Sequence, residues 1–237
     1  MTTIERSRAI SREQTRARYP DQEGFIERGG VRVFWERYGD GDPTLLFLPT
    51  WSIVHSRCWK AQIPYFARHA RVATFDGRGN GRSDRPRGPD AYREEEFAAD
   101  ALAVMDATET ARAVLVSLSR GAERSLLLAA RHPDRVEGLA FISPAVPLPP
   151  AAPRATAERE FGEPHETYEG WGKWNANFWR QGHEHFLEFF FSQVFTEPHS
   201  TKQREDARLG AGDRRRDAGS DPARAPAPRR GGSARAD

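Results

Sequence analysis

The sequence predicts an α/β fold, a mostly parallel sheet with helices on both faces, followed by a helical cap segment. Three observations carry that expectation. Between residues 44 and 142 short apolar runs alternate with helix-length stretches, as they do when parallel strands are joined by crossover helices. The runs include Thr44-Leu-Leu-Phe-Leu48, continuously apolar in the manner of a strand buried on both faces. The chain, at 237 residues, is long enough to bury one substantial core with or without a small insertion.

Residues 1–23 read as a charged N-terminal arm. The core is expected over 24–150 and contains six strands. Segments 25–28 and 31–38 form two of them, joined at Gly29-Gly30 as a hairpin. A Gly/Asp/Pro turn at 40–43 leads to the strand at 44–48. A helix is expected over 59–70, shortened or kinked by Pro64. A strand at 72–75 follows, then a helix over 92–107 with Phe97, Ala101, Val104 and Met105 on one face. The strand at 113–118, the helix over 120–132 closed by Pro133, and the strand at 139–142 complete the set.

Beyond Ile142 a proline-rich stretch leaves the sheet, and 151–203 reads as a helical, aromatic-rich cap. Trp171, Trp174 and Phe178 fall on one helical face, and Phe186 and Phe190 lie one turn apart. Rings so dense are expected to pack on something large and apolar. Residues 204–237 hold nine Arg, eight Ala, five Gly, five Asp and three Pro, with Leu209 the one large apolar side chain. That composition predicts disorder. It also suggests an out-of-frame end in place of a normal continuation past Gln203.

Composition excludes several classes of function. The single cysteine, Cys58, rules out a disulfide framework and a cysteine metal site, and fits a reducing, cytoplasmic setting. The N-terminus has no apolar signal core, and no run of 18 apolar residues predicts a membrane span. The sequence pI of about 8.9 would suit a nucleic-acid partner. However, the tail carries nine basic and six acidic residues, which leaves 27 basic and 28 acidic in the first 203. The body is near neutral and makes no case for DNA or RNA.

The most specific chemical signal is Val114-Leu-Val-Ser-Leu-Ser119-Arg-Gly121, a strand running through S-x-S-x-G into a helix. It lies one substitution from the G-x-S-x-G elbow, in which a sharp turn presents a serine and a helix N-terminus stands behind it. An ordinary Ser-Gly turn is the alternative. A second stretch, Asp76-Gly-Arg-Gly-Asn-Gly-Arg-Ser83, has glycines at 77, 79 and 81, but neither phosphate-loop spacing nor a lysine. A third, Pro49-Thr50-Trp51 through His55, follows the strand at 44–48. His183-Glu184-His185 lacks H-E-x-x-H spacing and a distant third ligand, so no metal site is expected, and no cofactor motif is present.

D-x-R-G-x-G-x-S followed some 40 residues later by a serine elbow resembles the α/β-hydrolase superfamily, its serine-nucleophile branch, over residues 24–203. Asp76, Arg78, Gly79, Gly81 and Ser83 match the pattern, and the resemblance gives that loop a structural role. It implies Ser119 as nucleophile, with the backbone amides of Trp51 and Arg120 as the oxyanion hole, although Pro-Thr stands here where similar enzymes carry His-Gly. His55 reads as a loop residue in preference to a catalytic base. The aromatic segment resembles a helical cap, which would roof an apolar pocket over Ser119 or simply cement itself to the core.

The resemblance further implies an acid and a histidine after the serine, on later strands. Residues 143–152 hold no carboxylate, nothing past Gln203 reads as a strand or a histidine, and His165, His183, His185 and His199 all fall in the cap segment. The expectation is therefore a fold missing its last strands, truncated or frameshifted, and a chain that is poorly soluble and nearly inactive as written. The intended activity is hydrolysis of a small apolar ester or related acyl substrate, with no nucleic acid or membrane partner. The alternatives are a non-catalytic relative that binds apolar ligands and an inactive truncated product.

Overall fold

A computed structural model describes residues 17–146, 160–197 and 207. Six strands make one sheet: β1 (Gln22–Arg28), β2 (Val31–Tyr38), β3 (Thr44–Phe47), β4 (Arg71–Phe75), β5 (Ala113–Leu118) and β6 (Val136–Ile142). The helices are α1 (Ile63–Phe66), α2 (Glu94–Ala107), α3 (Gly121–Arg131) and α4 (Ala176–Val194). The strand order is β1-β2-β4-β3-β5-β6. β1 and β2 pair antiparallel, as do β2 and β4, whereas β3, β4, β5 and β6 run parallel.

Alternation along each strand sorts side chains to two faces. Leu46, Leu48, Ala73, Phe75, Ala113 and Leu115 pack with Ala98, Ala101, Val104 and Met105 of α2 and Leu128 of α3. Phe47, Val72 and Tyr38 pack on the other face with Trp59 and with Ile63 of α1. The predicted α/β class, with helices on both faces of a mostly parallel sheet, is the observed one.

Several predicted elements change at their ends, β6 among them, which begins at Val136 where 139 is expected. β1 begins at Gln22, three residues early, because its pairing with β2 runs from Gln22↔Arg37 to Arg28↔Val31. The helix expected over 59–70 is a 3-10 turn at Ser56–Trp59 and a four-residue α1 with proline in its first turn. Proline fits there because the first helical N–H groups have no intrahelical acceptor.

By its contacts the chain divides into two compact units, Met1–Arg85 with Phe97–Ala145, and Pro86–Glu96 with Val146–Asp237. In the second, the helical face expected to join Trp171, Trp174 and Phe178 is corrected. Among the described residues α4 begins only at Ala176, capped by buried Asn175, whose side chain accepts from the Asn177 N–H. Asn175 Nδ2 also donates to the carbonyls of Glu160 and Glu163, which holds the preceding chain off the helix axis. Trp171 and Trp174 thus lie before the helix and share no face with Phe178, and Trp171 is 56% exposed. Trp179, Phe186 and Phe191 are buried, and Phe186 and Phe190 do sit one turn apart with centroids at 5.9 Å. α4 bends at Gly182, where a Cβ would lie 2.7 Å from the Phe178 ring. The expected tail (apart from Ala207), His199 and most of the N-terminal arm lie outside the described residues.

Candidate active site

The strand order decides where a site can be built. From β3 the chain crosses to β4 on one side, and from β5 it crosses to β6 on the other. Connections that leave two adjacent parallel strands in opposite directions open a crevice at the strands' C-terminal ends. Here those ends carry the loop after β3 and the turn after β5. The loops start level: the Leu48 N–H donates to the Val116 carbonyl at 3.0 Å, and Pro49 follows.

At the end of β5, Ser119 has φ +52°, in the left-handed region that residues with a side chain rarely occupy. It is held there from three sides. Its N–H donates to the Ile142 carbonyl at 3.0 Å, and its carbonyl accepts from Ala122 N–H at 3.1 Å and Ala145 N–H at 2.9 Å. Arg120 is the N-cap of α3, so its amide sits where the helix dipole presents positive charge. A Cβ on Gly121 would lie 3.1 Å from the Pro49 carbonyl oxygen and 3.3 Å from Ser117 Cβ, so a side chain there would press turn and loop apart by a few tenths of an ångström.

Ser117, standing where the elbow pattern has its first glycine, is fully buried, and its hydroxyl meets that of Ser125 on α3. The extra side chain is thus absorbed as a strand-to-helix hydrogen bond. Of the predicted residues, Ser119 and Arg120 follow β5 and the loop bearing Trp51 follows β3, so all three lie beyond the C-terminal ends of adjacent parallel strands.

That loop is fastened at several points. The Val54 N–H closes a turn on the Trp51 carbonyl at 2.8 Å. Asn80 Nδ2 donates to the Ser52 and Val54 carbonyls at 3.1 and 2.9 Å. Arg124 Nη1, from α3, donates to the Pro49 and Thr50 carbonyls, each at 2.7 Å. Its guanidinium lies 3.8 Å from the Phe97 ring centroid. Farther along, His55 Nδ1 accepts from the Arg57 N–H at 3.1 Å and caps the 3-10 turn. Arg57 forms a buried fork with Glu36, whose Oε1 it reaches at 2.9 Å. Burial is the largest influence on its guanidinium and pulls the pKa down, but the hydrogen bonds and charge of Glu36 outweigh it and the net shift is upward.

The glycine-rich loop is a structural knot. Asp76 is buried at the end of β4 and accepts from Ser56 Oγ and, at 2.8 Å, from the Arg82 N–H. Ser83 Oγ donates to the Asp76 carbonyl at 2.6 Å and accepts from the Phe34 N–H of β2 at 2.8 Å. A Cβ on Gly81 would fall 2.0 Å from Asp76 Oδ2. Arg78 forks onto Asp100 of α2 at 2.7 Å through Nε and through Nη2. Nothing in this loop is arranged around a phosphate.

In the other unit, His183 is buried against Trp179, edge to face at 5.4 Å, and His165 stacks on Tyr168. Among the described residues no group of three His, Cys, Asp or Glu could hold a metal ion. Within the same residues no helix is long and apolar enough to cross a membrane.

The model of the alpha/beta hydrolase fold family matches residues 43–205, more than half of the chain, and the chain belongs to that family. It is 37% identical over 122 residues to 2-hydroxymuconate semialdehyde hydrolase of Pseudomonas sp. strain CF600, a match spanning 51% of this chain and 42% of that protein. It is 38% identical over 86 residues to epoxide hydrolase B of Mycobacterium tuberculosis strain H37Rv, spanning 36% of this chain and 24% of the relative. Each match thus spans less than half the length of the curated relative. Among solved structures, a hydrolase from Pseudomonas aeruginosa PA01 superposes with TM-score 0.60 at 24% identity, over 80% of this chain and 66% of that one, which shows the shared fold.

Proposed function

We propose that the chain carries the nucleophile and oxyanion half of a serine hydrolase that cleaves an ester or related acyl bond. The observation that carries the reading is Ser119 held at φ +52° between a buried strand and a helix N-terminus. In this reaction Ser119 Oγ attacks the acyl carbon while its proton passes to a base. The carbonyl oxygen becomes an anion, held by the amides of Trp51 and Arg120. Collapse breaks the C–O bond, the base returns its proton to the departing alcohol, and the acyl-serine left behind is then hydrolysed by water. Both relatives are named as hydrolases, of a semialdehyde and of an epoxide. An aspartate is the elbow residue typical of epoxide chemistry, and Ser119 favours acyl chemistry.

Treatment of the full chain with a fluorophosphonate tests the assignment. With no base assigned in the chain the adduct is expected to form slowly; mass spectrometry after long incubation should find it on the peptide containing Ser119, and Ser119→Ala should abolish it. Labelling that survives Ser119→Ala undiminished would overturn the assignment. Saturable binding of an apolar ligand with no p-nitrophenyl ester turnover would favour the ligand-binding alternative.

A further inference from the structure

We propose that Arg124 is a positioning residue that aims the oxyanion-binding amide of Trp51, an inference that rests on the reading of Ser119 and Trp51 above. Arg124 stands on the second turn of α3 and is 2% exposed. One of its nitrogens, Nη1, donates to two successive carbonyls, those of Pro49 and Thr50, at 2.7 Å each.

The direction of those bonds fixes the amides. In a planar trans peptide the C=O and N–H point opposite ways. The Asp42-Pro43 bond is the cis peptide of the described chain, so the Pro49–Thr50 and Thr50–Trp51 peptides are trans. With both carbonyls drawn to the guanidinium, the Thr50 and Trp51 N–H groups are both turned away from it. Successive N–H groups directed to one side are the elements of a backbone anion site. The Pro49 carbonyl oxygen that Arg124 holds is also the atom that a Cβ on Gly121 would meet first, at 3.1 Å. The clamp therefore sets both the direction of the Trp51 amide and its distance from the turn bearing Ser119.

The anchor is itself fixed. The guanidinium carbon lies over the ring of Phe97 on α2, 3.8 Å from its centroid, and Phe97 closes with Pro49 around Gly77, where a Cβ would meet each ring at 3.0 Å. Pro49-Thr50 stands where similar enzymes have a flexible His-Gly, and a charged donor bridging two carbonyls supplies orientation from the helix side instead.

The test uses the full chain with 15N-tryptophan, the Trp51 amide signal being assigned by its loss in Trp51→Phe. Fluorophosphonate labelling is resolved into a probe affinity and a limiting rate. Arg124→Met is expected to move the Trp51 amide signal while those of Trp171 and Trp179 stay. It should lower the limiting rate about 100-fold, the cost of a misdirected oxyanion donor, with probe affinity changed less than about twofold. Arg124→Lys should recover part of the rate, since an ammonium reaches the carbonyls but cannot stack in a plane on Phe97.

A Trp51 signal unmoved in Arg124→Met overturns the proposal, as does a moved signal with an unchanged limiting rate. If Arg124→Met does not fold, Arg124→Lys decides through the same two readouts, with a loss of about tenfold expected and no loss overturning it. Failure of the wild-type chain to label at Ser119 would instead overturn the nucleophile reading, and the Trp51 signal alone would then show whether Arg124 aims that amide.

Discussion

Ser119 combines a side chain with a backbone conformation that suits glycine. A left-handed residue with a Cβ costs about 1–2 kcal/mol, and here three hydrogen bonds to its own peptide groups hold it in place. The strain yields a prediction that separates the backbone from the hydroxyl. Ser119→Gly and Ser119→Ala both remove the nucleophile and should both abolish fluorophosphonate labelling. In urea denaturation, Ser119→Gly should be more stable than Ser119→Ala by about 1 kcal/mol, because glycine relieves the Cβ clash by more than it adds unfolded-state entropy. Equal stabilities would mean that the turn stores no strain at this position. The positive φ at Gly30 is a useful contrast: nothing lies within 4 Å of a Cβ there, so conformation alone and no packing calls for glycine.

At the scale of elements, what was legible in the sequence is what repeats locally. Leu46, Phe47 and Leu48, or the run from Ala113 to Leu118, declare a strand because every second side chain must find one core or the other. The turn into α3 was legible for the same reason, as was the structural nature of Asp76 through Ser83. Contacts between elements distant in sequence left no such trace. Arg124 lies 74 residues from Thr50, and an arginine on an amphipathic helix reads as solvated until the loop is seen beside it. Asn80 was equally hidden among glycines and arginines.

The aromatic segment misled for another reason: ring spacing alone suggested a helix through Trp171, while Asn175, a good N-cap ahead of Ala176, was the available signal for the true start. Ser117 and Ser125 show a strand–helix joint that the pentapeptide only hinted at. Removing either hydroxyl leaves the other buried without its partner, so Ser117→Ala or Ser125→Ala should each cost about 1–3 kcal/mol. Removing both should cost clearly less than the two single losses together, since no hydroxyl is then orphaned. A double-mutant cycle in urea measures the coupling, and strict additivity would mean that the pair does not join β5 to α3.

Across the whole molecule the loops at the C-terminal ends of the strands depend on buried residues beneath them. Asp76 gathers the loop after β3 through Ser56 and the loop after β4 through the Arg82 N–H, and its backbone carbonyl reaches β2 by way of Ser83. Asn80, in the same knot, carries two carbonyls of the loop that bears Trp51. Fold and site are therefore expected to share one anchor. Asp76→Asn keeps the shape but removes the charge, so the bonds from Ser56 Oγ and the Arg82 N–H no longer end on a carboxylate and the Ser56 hydroxyl must turn to accept the new amide donor. The cost should be about 1–3 kcal/mol, read as a lower urea midpoint with an unchanged slope.

Because the same substitution weakens the knot that ties the loops after β3 and β4, the limiting rate of Ser119 labelling should fall with stability in Asp76→Asn. In Arg124→Met it should fall well beyond any loss of stability. The two variants thus separate a knot that holds the sheet's C-terminal loops together from a clamp that aims a single peptide. A full labelling rate in folded Asp76→Asn would confine Asp76 to stability and leave the loop after β3 fixed by Arg124 and Asn80 alone.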